Sequence, residues 1–112
     1  MTLRAFRMTL NPGQEAEYRR RHDEIWPELV GALRAAGVRD YRIFLDPQSC
    51  HLFAVMQLDD DHRVDALPEL PVMQRWWEHM ADLMATHDDA SPIAVGLDEV
   101  FTLNEEANDA RR

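Results

Sequence analysis

Residues 3–10 alternate, with Phe6, Met8 and Leu10 on one side and Arg7 and Thr9 on the other, the period-two pattern of a half-buried strand. Asn11-Pro12-Gly13 ends it, placing Asn11 to cap a helix and Pro12 at its first position. A helix is expected from there to about Ala36, closed by Gly37. Pro27 lies inside that stretch. Its ring has no N–H to give the Asp23 carbonyl and pushes against it, so the helix kinks or breaks about one turn after His22. Residues 38–46 read as a second strand, with Tyr41, Ile43 and Leu45 on one face and Arg42 and Phe44 on the other. Asp46-Pro47-Gln48-Ser49 is turn chemistry, and Cys50 to Leu58 pairs back as a hairpin. Asp59-Asp60-Asp61 caps a short helix to about Leu67, interrupted by Pro68 and Pro71. A stronger helix runs from about Val72 to Ala85, and Val95 to Leu103 alternates again as a last strand.

The order is β-α-β-β-α-β, an α+β, ferredoxin-like arrangement with four antiparallel strands and both helices on one face. Residues 1–104 read as a single domain and 105–112 as a polar, frayed tail. Helices cover only one side of such a sheet, yet Leu52, Ala54 and Met56 alternate with Phe53 and Val55, apolar on both sides. A sheet of that kind wants a second layer, which a homodimer packed sheet to sheet supplies, with room for a cavity inside each protomer.

At 112 residues the chain is long enough for one core and too short for two. A net charge of −9 argues against a nucleic-acid partner; the run Arg19-Arg20-Arg21 is short and sits among acids. A neutral or weakly charged small ligand fits that balance. One cysteine, Cys50, forms no internal disulfide, which favours a reducing compartment. The first residues read as a strand instead of a signal peptide, and no apolar run is long enough for a membrane span. The expectation is a soluble cytoplasmic protein.

On a helix Tyr18, His22 and Ile25 fall at i, i+4 and i+7, and Leu29 and Leu33 continue the face. A phenol and an imidazole among aliphatics, beside a broken turn, is unusual for a plain core stripe. His22 is either a core-edge histidine on an amphipathic helix or a general acid/base, since imidazole alone titrates near neutrality without perturbation. Tyr41 either ties its hydroxyl to the backbone or aims it into a pocket. In Arg75-Trp76-Trp77 the adjacent indoles point about 100° apart. Either Met73, Trp77, Met80 and Met84 form the core stripe with Trp76 at its edge, or one indole stacks on a sugar face. The five histidines show no zinc spacing, and no G-x-S-x-G, G-x-G-x-x-G or Walker pattern is present, which excludes the common zinc, hydrolase, NAD and ATP motifs. No metal is expected.

Tyr18-Arg19-Arg20-Arg21-His22 followed by Ile25-Trp26-Pro27-Glu28-Leu29, then Tyr41-Arg42-Ile43-Phe44-Leu45-Asp46, Arg75-Trp76-Trp77 and Glu99-Val100-Phe101 closely resemble the L-rhamnose mutarotase family, in matching order from about Arg4 to Leu103. The resemblance implies a cytoplasmic, homodimeric α+β barrel that interconverts the α and β anomers of L-rhamnose without a cofactor. It implies His22 as the proton donor, with Tyr18, Tyr41, Trp76 and Trp77 lining the site of a small monosaccharide. Gln57 departs from the pattern, standing where an acid is expected, and Thr86-His87-Asp88-Asp89 replaces an asparagine-proline start. Two alternatives stay open on the same architecture: a cofactor-free monooxygenase acting on an aromatic, and a non-catalytic sugar-binding module.

Overall fold

Period-two patterning places the strands where expected. In the computed structural model, which describes residues 1–103, β1 (Thr2–Thr9), β2 (Val38–Asp46), β3 (His51–Leu58) and β4 (Val95–Leu97) form one antiparallel sheet in the order β2-β3-β1-β4. The tail expected at 105–112 lies outside the described residues. Along β3, Leu52, Ala54, Met56 and Leu58 are buried and their neighbours are half-buried, so one face carries the core. Register carries this across the sheet: Leu52 lies opposite Met8 on one side and Leu45 on the other, and Ala54 opposite Phe6 and Ile43. The β2–β3 turn is closed by Asp46, whose carboxylate accepts from the Gln48 N–H at 3.0 Å and the Ser49 hydroxyl at 2.9 Å.

The expected first helix is two. α1 (Glu15–Asp23) and α2 (Pro27–Ala35) are separated at Glu24–Trp26, and Pro27 opens the second helix instead of bending the first. Trp26 is extended (φ −68°, ψ 132°), as the residue before a proline prefers to be. The helix start is a correction: α1 begins at Glu15, and Asn11 does not cap it. Its N–H bonds to the Leu83 carbonyl and its side-chain amide to the Asp82 carbonyl at 3.2 Å, so it joins the end of β1 to the 3₁₀ turn Ala81–Leu83. Gly37 ends α2 at φ +102°, where a Cβ would stand 2.8 Å from that of His62; only glycine fits.

Three further boundaries differ from expectation. The short helix is a 3₁₀ segment, Val64–Glu69, containing Pro68, and Asp59 pairs with Arg39 instead of capping it. α3 (Pro71–Met80) then ends in a 3₁₀ turn, Ala81–Leu83, short of Ala85. β4 is ladder-paired only at Val95–Leu97, opposite Ala5–Arg7, and beyond it Val100 is 94% exposed. The buried stripe of α3 differs from expectation too. The buried stripe is Val72, Met73, Trp76 and Met80, so Trp76 is 6% exposed and Trp77 is half-buried, the reverse of the expected core stripe. The opposite sheet face carries Leu3, Phe44, Val95 and Leu97 in the open. Among the described residues no helix is long and apolar enough to cross a membrane.

Candidate active site

The helices do not close down on the sheet everywhere. Between them lies a cavity of about 1120 Å³, floored by Phe6, Tyr41 and Ile43 and walled by α1 through Tyr18 and His22 and by α3 through Trp76 and Trp77. All five side chains expected to form a site therefore border one space.

α1 delivers two of them from one helical face, four residues apart. The His22 ring lies 4.4 Å from that of Tyr18 (centroid to centroid) and 5.4 Å, edge-on at 86°, from that of Trp76. Its Nδ1 is 3.0 Å from the Tyr18 carbonyl oxygen. A carbonyl can only accept, so Nδ1 carries the hydrogen and donates, and in neutral His22 the lone pair is left on Nε2. Burial pushes the His22 pKa below its ordinary 6.5, against smaller upward effects of the Tyr18 carbonyl bond and Asp23. The resting imidazole is neutral near pH 7, with Nε2 free to accept a proton.

The phenols behave differently. Burial raises the Tyr18 pKa above its usual 10, with the nearby Tyr41 phenol adding to the shift. Tyr41 is pushed up to about 12 by burial. Both stay protonated at neutral pH and serve as O–H donors, not as bases.

Residues not singled out from the sequence also meet here. Trp26 packs edge-on to Trp76 at 5.2 Å, and His79 stands 5.3 Å from Trp26 and 5.5 Å from Trp76, behind the indole that His22 touches. His79 was signalled by its spacing of three from Trp76 on a helix. His87 and Ser91, in the loop before β4, line the cavity mouth and gave no periodic signal. Gln57 alternates with buried Met56 and Leu58 and so faces away from this space. Among the described residues no three of the His, Cys, Asp and Glu side chains cluster as a metal site would require.

The arrangement suits a small, neutral, partly apolar molecule. Indoles offer π-faces and ring N–H donors, the phenols offer hydroxyls, and one neutral imidazole offers a basic nitrogen.

Comparison with known proteins agrees with this chemistry. The family model described as L-rhamnose mutarotase matches residues 4–103. An L-rhamnose mutarotase of Paraburkholderia phytofirmans is 58% identical over 100 residues, covering 89% of this chain and 94% of its own. One of Brucella anthropi is 60% identical over 97 residues, covering 87% and 92%. The crystal structure of an L-rhamnose mutarotase from Formosa agariphila superposes with a TM-score of 0.86 at 38% identity, over 93% of this chain and all of that one.

Proposed function

The chain belongs to the L-rhamnose mutarotase family, and on that premise we propose that it interconverts the α and β anomers of L-rhamnose through His22. The observation that carries the mechanistic reading is the Nδ1–H donated to the Tyr18 carbonyl at 3.0 Å, which leaves Nε2 as the atom that exchanges protons inside an aromatic cavity.

The reaction follows from that atom. The sugar binds as a closed pyranose and Nε2 accepts the proton of the anomeric hydroxyl. The C1–O5 bond breaks, C1 becomes an aldehyde carbon, and the proton passes from Nε2 to O5. Rotation about C1–C2 presents the other carbonyl face, and the same steps in reverse close the ring as the other anomer. Protons and electrons balance with no net change, so one imidazole serves as base and then as acid. Family resemblance names His22 a proton donor; its neutral resting form makes acceptance the first half of the cycle. Positioned acid–base catalysis contributes about 10²–10⁴-fold, enough for a reaction that already proceeds in water. Tyr18 and Tyr41 hold sugar hydroxyls through their O–H groups, while Trp76 and Trp77 cover ring C–H groups and the C6 methyl.

The same reading includes a homodimer packed through the exposed sheet face and a cytoplasmic setting. The apolar Leu3, Phe44, Val95 and Leu97 on that face support the first, and the unpaired Cys50 supports the second.

Anomer exchange of L-rhamnose, followed by NMR saturation transfer between the two anomeric protons, tests the proposal. Acceleration by the protein supports it. Tryptophan quenching by rhamnose with exchange at the buffer rate would instead mark a binding module, and oxygen uptake with an aromatic substrate a monooxygenase.

A further inference from the structure

None of the nine residues of α1 is buried, although this helix carries both Tyr18 and His22. Apolar packing alone therefore does not fix where the imidazole stands. Of the three consecutive arginines, Arg20 is 56% exposed and bonds only to Glu17 and Glu24 of its own turns. Arg21 is different. Its side chain is 15% exposed and leaves α1 for the end of α3. Nη1 donates to the His79 carbonyl at 2.6 Å and to Asp82 Oδ1 at 2.8 Å, Nη2 donates to Asp82 Oδ2 at 3.2 Å, and Nε is held by Glu17 Oε2 at 2.8 Å.

Each bond has a physical reason. A guanidinium matches a carboxylate with two parallel N–H donors, which fixes direction as well as distance. The His79 carbonyl belongs to the last turn of α3, whose carbonyls lack helical partners and attract cations. Asn11 holds the same corner from the other side, donating to the Asp82 carbonyl at 3.2 Å. The clamp thus ties the residue next to His22 to the turn that follows Trp76, the two side chains whose rings meet at 5.4 Å.

We propose that Arg21 is a positioning residue: its fork onto Asp82 and the His79 carbonyl sets the docking of α1 on α3 and so holds the His22 imidazole at catalytic register in the cavity. The inference rests on the reading of His22 above. A shift of the order of 1 Å in a reacting group costs about 10²-fold in rate, whereas of the sugar contacts only that of Tyr18 comes from α1, those of Tyr41, Trp76 and Trp77 coming from the sheet and α3.

The test uses the full chain with Arg21→Ala, Arg21→Lys, Asp82→Asn and the Arg21→Ala/Asp82→Asn double variant. Turnover in anomer exchange should fall by about 10²-fold in Arg21→Ala, with rhamnose affinity, read by tryptophan fluorescence, falling far less because only the Tyr18 contact moves with α1. Lysine, a point charge that cannot fork, should recover only part of the loss. The double variant should be no slower than Arg21→Ala alone, since both changes break one unit. Wild-type turnover in folded Arg21→Ala overturns the proposal, as does a parallel loss of affinity, turnover and helix content, which marks a purely structural role. Should Arg21→Ala fail to fold, Arg21→Lys and Asp82→Asn decide by the same split: turnover lost with affinity kept supports the proposal, and turnover kept overturns it. Absence of exchange in the unaltered chain overturns the parent reading of the site instead.

Discussion

Replacing His22 by Phe separates proton transfer from packing. The imidazole meets Tyr18 at 4.4 Å and Trp76 at 5.4 Å, ring contacts worth about 0.5–1.5 kcal/mol each, and a phenyl ring keeps both. The substitution gives up the Nδ1–H bond to the Tyr18 carbonyl, a net loss of about 0.5–1.5 kcal/mol that the more apolar ring partly offsets. Stability should therefore change by about 1 kcal/mol or less. Catalysis should not survive. The loss of about 10²–10⁴-fold expected of positioned acid–base groups corresponds to about 2.7–5.4 kcal/mol of barrier. His22→Ala removes the same chemistry together with both ring contacts, adding about 1–3 kcal/mol of destabilisation. The two variants should thus share an exchange rate close to that of buffer while differing in urea midpoint. Anomeric-proton saturation transfer reads the first quantity and urea denaturation the second. If His22→Phe exchanges L-rhamnose as fast as the unaltered protein, Nε2 is not the proton carrier.

Two other outcomes follow from the same geometry. Because burial lowers the His22 pKa, turnover should rise with pH through a midpoint below 6.5 and be flat above it; the flanking Tyr18 carbonyl and Asp23 limit the shift without reversing it. The same depression makes the unfolded chain bind more protons as pH falls below 6.5, so this histidine's contribution to stability is complete above that value and is lost as pH falls through the folded-state pKa. An NMR titration of His22 that places its midpoint above 6.5 contradicts both statements. On the open sheet face Phe44 is 57% exposed, and the proposed two-fold dimer would bury it twice, at about 1.5–3 kcal/mol each. Phe44→Glu should therefore weaken self-association by about 10²–10⁴-fold, measured by sedimentation, with the far-UV spectrum unchanged.

Much of this was legible in the residues. Alternation in β2 and β3 gave both span and facing, because a strand with one buried side writes its register directly into the sequence. Pro27 marked the interruption after His22 for a reason local to one peptide unit. What stayed hidden depended on partners distant in sequence. Asn11 is a good helix cap by type, but its amide is spent on a carbonyl 71 residues away. Trp76 and Trp77 stand three and four residues after Met73, so helical spacing suits both, and only the packing of α3 shows Trp76 to be the buried one. Phe101 and Leu103 continue the alternation of β4 without finding a ladder partner among the described residues. Trp26, from the break before α2, and His79, from α3, pack behind the site, an arrangement that no single periodicity encodes.

The polar character of α1 is then understandable from what its inner face must do. A helix anchored by aliphatic side chains would bury its imidazole among them and leave no room for a sugar. Here Tyr18 and His22 face a cavity instead, and every other position of α1 but Ala16 is charged, with Glu17, Arg20 and Arg21 bonded to one another, to Glu24 just past the helix or, through Arg21, to Asp82. The rings that pack on the imidazole are a phenol and an indole. Burial holds His22 unprotonated against the smaller pull of Asp23, which on the proposed mechanism leaves Nε2 free to accept the first proton. An added carboxylate beside the ring would instead raise its pKa and fill Nε2 with a proton before the sugar arrives. The excess of acid in the chain, a net charge of −9, is compatible with this reaction because so little of it stands at the imidazole.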